Sequence, residues 1–242
     1  MVNKNLDVLI FDWDDTLIEA GPIICKSQFS ACKNMLAKSS EYPFTEKWQQ
    51  PSINILKKYI RMRFLDSIIP EIFPEINYKN KSHYIWAEKL YNEFVNDYKQ
   101  RPKNLFPHVL DTLIKLKNSG YTLTIATNKS REIFEYEFSV TIANKNLFSE
   151  IICGNDSIIK GNFKPKPDML NIIQHKFPNA DSFTMIGDSE FDMQAAATTN
   201  RKTFKIAIAD NHKEFIQKPD HKFSSVAEID ISFLDNLCNS IS

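Results

Sequence analysis

The chain has 242 residues, enough for one large domain or for a core domain with a smaller insertion. Its hydrophobic fraction of 43% and charged fraction of 25% are those of an ordinary globular protein. The 30 basic and 30 acidic residues balance, so the overall charge favours neither nucleic acid nor an anionic membrane surface as a partner.

The amino-terminal segment and the cysteines favour a cytoplasmic location. The apolar run before Asp12 is too short for a signal peptide or a membrane span, and no later stretch approaches about 18 consecutive apolar residues. Cysteines are sparse and lack Cys-x-x-Cys spacing, so we expect reduced thiols with structural roles at Cys25, Cys32, Cys153 and Cys238.

Short apolar runs predict a parallel sheet. The first, Asp7–Phe11, is nearly continuous and is followed by acidic residues, as expected for a strand buried on both faces. Segments with helical spacing alternate with further runs, and one of them is closed by Gly120 as a C-cap. The further runs are Thr122–Thr127, Glu150–Cys153, Phe183–Asp188 and Phe204–Ala209. This alternation predicts a doubly wound α/β sheet.

One segment, residues 19–105, interrupts the alternation and is predicted to be an inserted α-helical cap domain. It has no convincing strand but three amphipathic stretches, namely Ile23–Lys38, Thr45–Ser67 and Lys81–Lys99. The sequence around Pro70 and Pro74 predicts a connection between helices. The predicted core domain therefore consists of residues 1–18 and 106–242.

Polar residues follow or end the predicted strands, where ligands bind in open α/β sheets. They are Asp12, Asp14, Thr16, Thr127, Asn128, Lys164 and Asp188. Neighbouring carboxylates repel unless a cation lies among them, and hard oxygen donors suit Mg²⁺. A carboxylate can also attack phosphorus as a nucleophile, and a second acid two residues away could protonate the leaving oxygen.

Four motifs in order carry a resemblance to a known family. FDWDDT (residues 11–16) matches the DxDx[TV] signature of the haloacid dehalogenase superfamily, and the later motifs are TIATN (124–128), KPKPD (164–168) and GDSEFD (187–192). The chain is similar to the phosphoglycolate-phosphatase-like branch, whose helical cap enters after the first motif. One departure is Asp15, where many members of that branch carry glycine.

The resemblance implies a role for each matching acidic residue. Asp12 would be the nucleophile and Asp14 the general acid and base. Mg²⁺ would be held by the side chains of Asp12 and Asp188 and by the backbone carbonyl of Asp14, with Thr16 in a supporting role. In such sites the placement of charge carries most of the catalysis.

It also implies the groups that bind phosphate. Thr127 and the amide of Asn128 would bind phosphate oxygens, as groups near a helix start can. Lys164 would neutralise the nucleophile and the phosphoryl group, although Lys166 in the same motif is a rival. Asp192 would support either the metal through water or the lysine through a hydrogen bond.

The implied activity is Mg²⁺-dependent hydrolysis of a small phosphate monoester, phosphoglycolate or similar, through an aspartyl-phosphate. We expect a monomer or homodimer with no nucleic acid and no membrane as partner. A phosphosugar mutase, a phosphonate hydrolase and a non-catalytic regulatory protein on the same core stay open as alternatives. Asp14 disfavours a dehalogenase, because a halide leaves without protonation.

The predicted cap carries a basic group whose role the sequence leaves open. Lys57, Lys58, Arg61 and Arg63 lie on the polar side of an apolar stripe, which is typical of a solvated helix face. Recognition of a carboxylate or a second phosphate is the alternative. The cap is expected to close over the catalytic edge and select a small ester.

Overall fold

The computed structural model describes residues 7–59, 64–144 and 146–239. The first strand is followed by a helical segment and then by alternating helices and strands. In chain order the elements are β1 (Asp7–Phe11), α1 (Gly21–Leu36), α2 (Ile53–Tyr59), α3 (Ile69–Ile72), α4 (Lys81–Gln100), α5 (Val109–Asn118), β2 (Thr122–Thr127), α6 (Arg131–Thr141), β3 (Glu150–Cys153), α7 (Asp168–Lys176), β4 (Ser182–Gly187), α8 (Glu190–Ala197), β5 (Thr203–Ile208), β6 (His221–Phe223) and α9 (Ile231–Asn239).

All six strands belong to one parallel sheet in the order β3-β2-β1-β4-β5-β6. Strand β1 is central and buried along its whole length, which explains its continuous apolar run. Phe11 pairs with Ile125 of β2 and with Ile186 of β4. The carboxyl ends of these three strands therefore lie side by side at one edge of the sheet. The predicted α/β fold class is confirmed.

Two carboxy-terminal elements were not predicted from the sequence. Strand β6 has three residues and no apolar run, yet it pairs with β5 at the edge of the sheet. Helix α9 follows it. The structure confirms the predicted role of Gly120 at the end of α5. Its φ of 96° is a left-handed conformation that glycine adopts without strain.

Residue contacts divide the chain into two compact units. The helical unit is Ala20–Lys103, and the sheet unit contains the described residues on either side of it. The core of the sheet unit packs apolar side chains of β1 and β4 against α7 and α8, among them Val8, Ile10, Met169, Leu170, Met185 and Ala195.

The helical unit differs from its predicted pattern in the middle. No helix covers residues 46–52, and α2 begins only at Ile53, after Pro51. Proline lacks the amide hydrogen that a continuous helix needs at this point, so the prediction of one amphipathic stretch over Thr45–Ser67 is wrong. Ile53, the first residue of α2, is 39% exposed.

Pro70 also lies where a connection was predicted, but it belongs to the first turn of α3. A π-helical turn, Phe64–Ile68, runs directly into α3. Helices α1 and α4 pack together along the unit, and Cys25 and Cys32 of α1 are buried thiols outside any disulfide. Among the described residues no helix is long and apolar enough to cross a membrane.

Candidate active site

Asp12 lies at the centre of the carboxyl edge, directly after β1. Lys164 Nζ donates to Asp12 Oδ1 at 2.7 Å and to Asp192 Oδ1 at 2.5 Å. Carboxylate oxygens of Asp12, Asp188 and Asp192 lie within 4.8 Å of one another. The structure thus brings together three acidic residues and a lysine that follow three different strands in the chain.

The start of α8 fixes Asp192 in this cluster. Its Oδ2 accepts hydrogen bonds from the backbone amide of Ser189 at 3.0 Å and from Ser189 Oγ at 2.5 Å. The first of these bonds is half of a capping box, in which the Ser189 side chain also accepts from the Asp192 amide. A Cβ at Gly187 would lie only 2.4 Å from Cγ of Asp192, so glycine is required for this close approach. The other oxygen, Oδ1, is thereby directed to Lys164.

Lys164 is 2% exposed and is held by its backbone as well as its side chain. Asn128 Nδ2 donates to the Lys164 carbonyl at 2.8 Å, and the Lys164 amide donates to Asn128 Oδ1 at 2.9 Å. Its rival Lys166 instead donates to Asn162 Oδ1 at the surface. The buried lysine at this edge is therefore Lys164.

The charges of this cluster act on each other's protonation. Burial raises the pKa of Asp12 well above its usual value, and Asp192 and Asp188 add to the rise while Lys164 opposes it. Burial would lower the pKa of Lys164, but the carboxylates of Asp12 and Asp192 outweigh it and raise that pKa. The lysine is charged, and an ionised Asp12 depends on it for neutralisation.

Asp14 points into a second buried cluster. Lys129 Nζ lies 2.5 Å from Asp14 Oδ1 and 2.7 Å from each carboxylate oxygen of Glu137. Trp13 Nε1 donates to Glu137 Oε2 at 2.7 Å. Burial raises the pKa of Asp14 to about 7, because the opposing effect of Lys129 is offset in part by Glu137. A carboxyl that titrates near neutrality can both give and take a proton.

Other predicted residues surround the two clusters. Thr127 ends β2, is buried, and accepts a hydrogen bond from the Lys129 amide through Oγ1 at 3.2 Å. Thr16 is also buried, and within the described part of the chain its Oγ1 has no hydrogen-bond partner. Asp15 has a φ of 55°, a left-handed conformation that aspartate tolerates better than most residues. Aspartate is therefore tolerated at this position.

The donor set at this edge fits a hard divalent cation. Asp12 and Asp188 offer carboxylate oxygens close together, which Mg²⁺ prefers, whereas Asp192 is already engaged by Lys164 and Ser189. The side chain of Asp14 instead lies against Lys129 through Oδ1.

Sequence reasoning missed three residues of the site. Lys129 and Glu137 complete the Asp14 cluster, and Lys213 Nζ donates to the Asp188 carbonyl at 2.5 Å. One signal could have found Glu137, since it falls on the apolar face of α6 beside Ile133 and Phe134. An acidic residue there requires a buried partner. No comparable pattern marks Lys213, which lies in a polar segment.

A parallel sheet that gathers carboxylates and a lysine at its carboxyl edge is typical of α/β proteins that bind a ligand there. Residues 9–206 match the model of the haloacid dehalogenase-like hydrolases. The chain belongs to this family, so the predictions of family and of a hydrolytic enzyme are confirmed.

Individual relatives agree with the family. The chain is 27% identical over 227 residues to phosphoglycolate phosphatase of Vibrio cholerae, covering 92% of this chain and 93% of the relative. It is similar in structure to a predicted phosphoglycolate phosphatase of Haemophilus somnus, with a TM-score of 0.72, 21% identity, and coverage of 96% and 98%. CbbY of Rhodobacter sphaeroides, solved with phosphate, has a TM-score of 0.70, 17% identity, and coverage of 95% and 99%.

Proposed function

We propose that this protein is a Mg²⁺-dependent phosphatase that hydrolyses a small phosphate monoester through a phosphorylated Asp12. The observation that carries the proposal is the hydrogen bond of 2.7 Å between Asp12 Oδ1 and the buried Lys164 Nζ. It leaves a carboxylate at the carboxyl edge of the sheet with its charge partly neutralised. Such a group can approach an anionic phosphate, which an isolated carboxylate would repel.

In the first step, a carboxylate oxygen of Asp12 attacks phosphorus and the bond from phosphorus to the ester oxygen breaks. The proton of Asp14 passes to that oxygen, so that an alcohol leaves. Lys164, Thr127 and the amide of Asn128 bind the phosphoryl oxygens. Asp192 keeps Lys164 oriented toward Asp12 through its own hydrogen bond.

In the second step, water attacks phosphorus of the aspartyl-phosphate and the bond to Asp12 breaks. Asp14, now deprotonated, takes a proton from that water, and inorganic phosphate is released. Mg²⁺ held by Asp12, the carbonyl of Asp14 and Asp188 would supply positive charge for the phosphoryl oxygens. Thr16, the buried last residue of the first motif, supports this arrangement.

The substrate we favour is phosphoglycolate or a similar small ester. The support is the 27% identity to a phosphoglycolate phosphatase across nearly the whole of both chains. The helical unit, which follows the first motif in the chain, is proposed to be the cap that selects the ester. Asp14 also fits a phosphosugar mutase, for which release of an isomerised sugar phosphate instead of inorganic phosphate would be the signature.

The test is phosphate release from a panel of small phosphate esters, with Mg²⁺ and with a chelator, by the wild type and by Asp12→Asn. The substitution keeps the shape of the side chain and removes its nucleophilicity. Asp220→Asn is the matched control, because Asp220 forms an exposed ion pair with Lys205 in the same unit. We expect Mg²⁺-dependent release by the wild type and the control, and none by Asp12→Asn.

Two results would contradict the proposal. Near-normal turnover by Asp12→Asn would exclude a phosphorylated Asp12. Release that is unchanged by the chelator would exclude the metal dependence. The ranking of esters by kcat/KM would identify the substrate class.

A further inference from the structure

The Asp14 cluster contains two residues for which the phosphatase reaction has no direct use, Lys129 and Glu137. Both are almost wholly buried: their side chains are 5% and 0% exposed. A buried charge must be paired to be tolerated, and an apolar residue at either site would avoid the difficulty. Their retention beside a reacting carboxyl calls for an explanation.

Lys129 is held between Glu137 and Asp14. Its Nζ donates to both oxygens of Glu137 at 2.7 Å and lies 2.5 Å from Asp14 Oδ1. Two of its three N–H donors are directed to Glu137, and its charge lies against the carboxylate of Asp14. Glu137 therefore fixes Lys129 beside Asp14.

Glu137 is fixed in turn by Trp13. The indole N–H donates to Glu137 Oε2 at 2.7 Å, and the Trp13 ring packs edge-on against Phe134 with centroids 4.9 Å apart. Trp13 is fully buried and directly precedes Asp14 in the chain. Two neighbours in the first motif, Trp13 and Asp14, are thus connected through side chains. Trp13 binds Glu137, Glu137 binds Lys129, and Lys129 lies against Asp14.

We propose that Lys129 and Glu137 are positioning residues that hold the Asp14 carboxyl in the orientation needed to transfer a proton to the leaving oxygen. Glu137 holds the flexible side chain of Lys129 in place. Lys129 then anchors one carboxylate oxygen of Asp14, and the other oxygen is left to face the ester. This inference rests on the proposed function. It predicts a defect confined to steps that move a proton.

The test compares two esters that differ in their need for an acid. An alkyl phosphate leaves as a strongly basic alkoxide unless it is protonated, whereas p-nitrophenyl phosphate releases a stable phenolate. Because kcat/KM covers the steps up to the first bond cleavage, we measure it for both esters with Glu137→Gln and Lys129→Met. The matched control is Lys176→Met, which removes an exposed ion pair with Glu150 in the same unit.

We expect kcat/KM for the alkyl ester to fall about 100-fold, which is within the usual contribution of acid catalysis. For the aryl ester, whose leaving group needs no proton, kcat/KM should change no more than about fivefold. The aryl ester should also show a burst of p-nitrophenol, because Asp14 then fails as the base that activates water. Lys129→Met leaves Glu137 buried without its cation, so the double variant Lys129→Met/Glu137→Gln is included as a form without either charge.

Equal losses for both esters in folded variants would mean a structural role only and would overturn the inference, as would no loss for either. Thermal unfolding establishes that each variant is folded. If the wild type hydrolyses neither ester, the proposed function fails and the inference fails with it. A wild type active on both esters, with variants that show no selective loss, refutes the inference alone.

Discussion

Replacement of Lys164 by methionine is the sharpest test of how the carboxyl edge is held together. The substitution keeps most of the length and volume of the side chain and removes only its charge. Asp12 and Asp192 then lose the group that neutralises both of them, at 2.7 and 2.5 Å. Asp188 lies within 4.8 Å of the same pair, so three carboxylates would face each other without this cation.

The expected loss of stability is large because the lysine is buried. Removing one partner of a buried ion pair costs about 3–5 kcal/mol. In a chain of this size each kcal/mol shifts Tm by about 2–4 °C, so the expected fall is about 6–20 °C. Lys176→Met removes an exposed pair, worth about 0.2–1 kcal/mol, and should shift Tm by no more than about 4 °C.

The assay is thermal unfolding of both variants in the presence of a chelator, at pH 5 and at pH 8. Without Lys164 the pKa of Asp12 rises further, because burial and the neighbouring carboxylates are no longer opposed. A raised pKa in the folded state gives stability that is present at low pH and lost as pH rises through that pKa. The deficit of Lys164→Met should therefore be smaller at pH 5. A shift no larger than that of the control, or independent of pH, would refute this reasoning.

Three further predictions follow from the same geometry. Asp12→Asn should raise Tm in chelator at pH 8, because burial opposes the ionised form of Asp12. The gain should vanish near pH 4, where the carboxyl is protonated in the folded and largely also in the unfolded chain. Gly187→Ala should lower kcat by at least about tenfold in phosphate-release assays, since its Cβ would displace Asp192 from Lys164. Asp14 must carry its proton to act as an acid, so kcat/KM for an alkyl ester should decrease as pH rises above about 7. A pH profile that is flat between 6 and 9 would contradict the last prediction.

The sequence predicted the sheet and its charged edge because both depend on local signals. A buried parallel strand requires a continuous apolar run, and the run of β1 is directly followed by Asp12. Residues at the ends of parallel strands must meet at one edge, so Lys164 and Asp188 could be placed near Asp12 without knowledge of any contact. The position of Lys164 rather than Lys166 depended on burial, which the motif alone does not show.

Contacts between distant parts of the chain were not predictable in the same way. Glu137 lies on a helix face that is otherwise apolar, and its partner Trp13 is 124 positions away. Periodicity identifies such a face but treats one polar residue as an exception. The short strand β6 was not predicted for a related reason. Its three residues have no apolar run, and they form a strand because they pair with β5.

The two clusters share an arrangement that bears on the need for a metal. Asp12 shares Lys164 with Asp192, and Asp14 shares Lys129 with Glu137, so in each case one lysine faces two carboxylates. Each lysine is fixed by a carboxylate that does not react, Asp192 for Lys164 and Glu137 for Lys129. That carboxylate also neutralises part of the positive charge of the lysine. A phosphate dianion that approaches Asp12 therefore meets an edge that is still negative. A divalent cation beside Asp12 and Asp188 would supply the missing positive charge, and this is the physical reason to expect hydrolysis to stop when the cation is chelated.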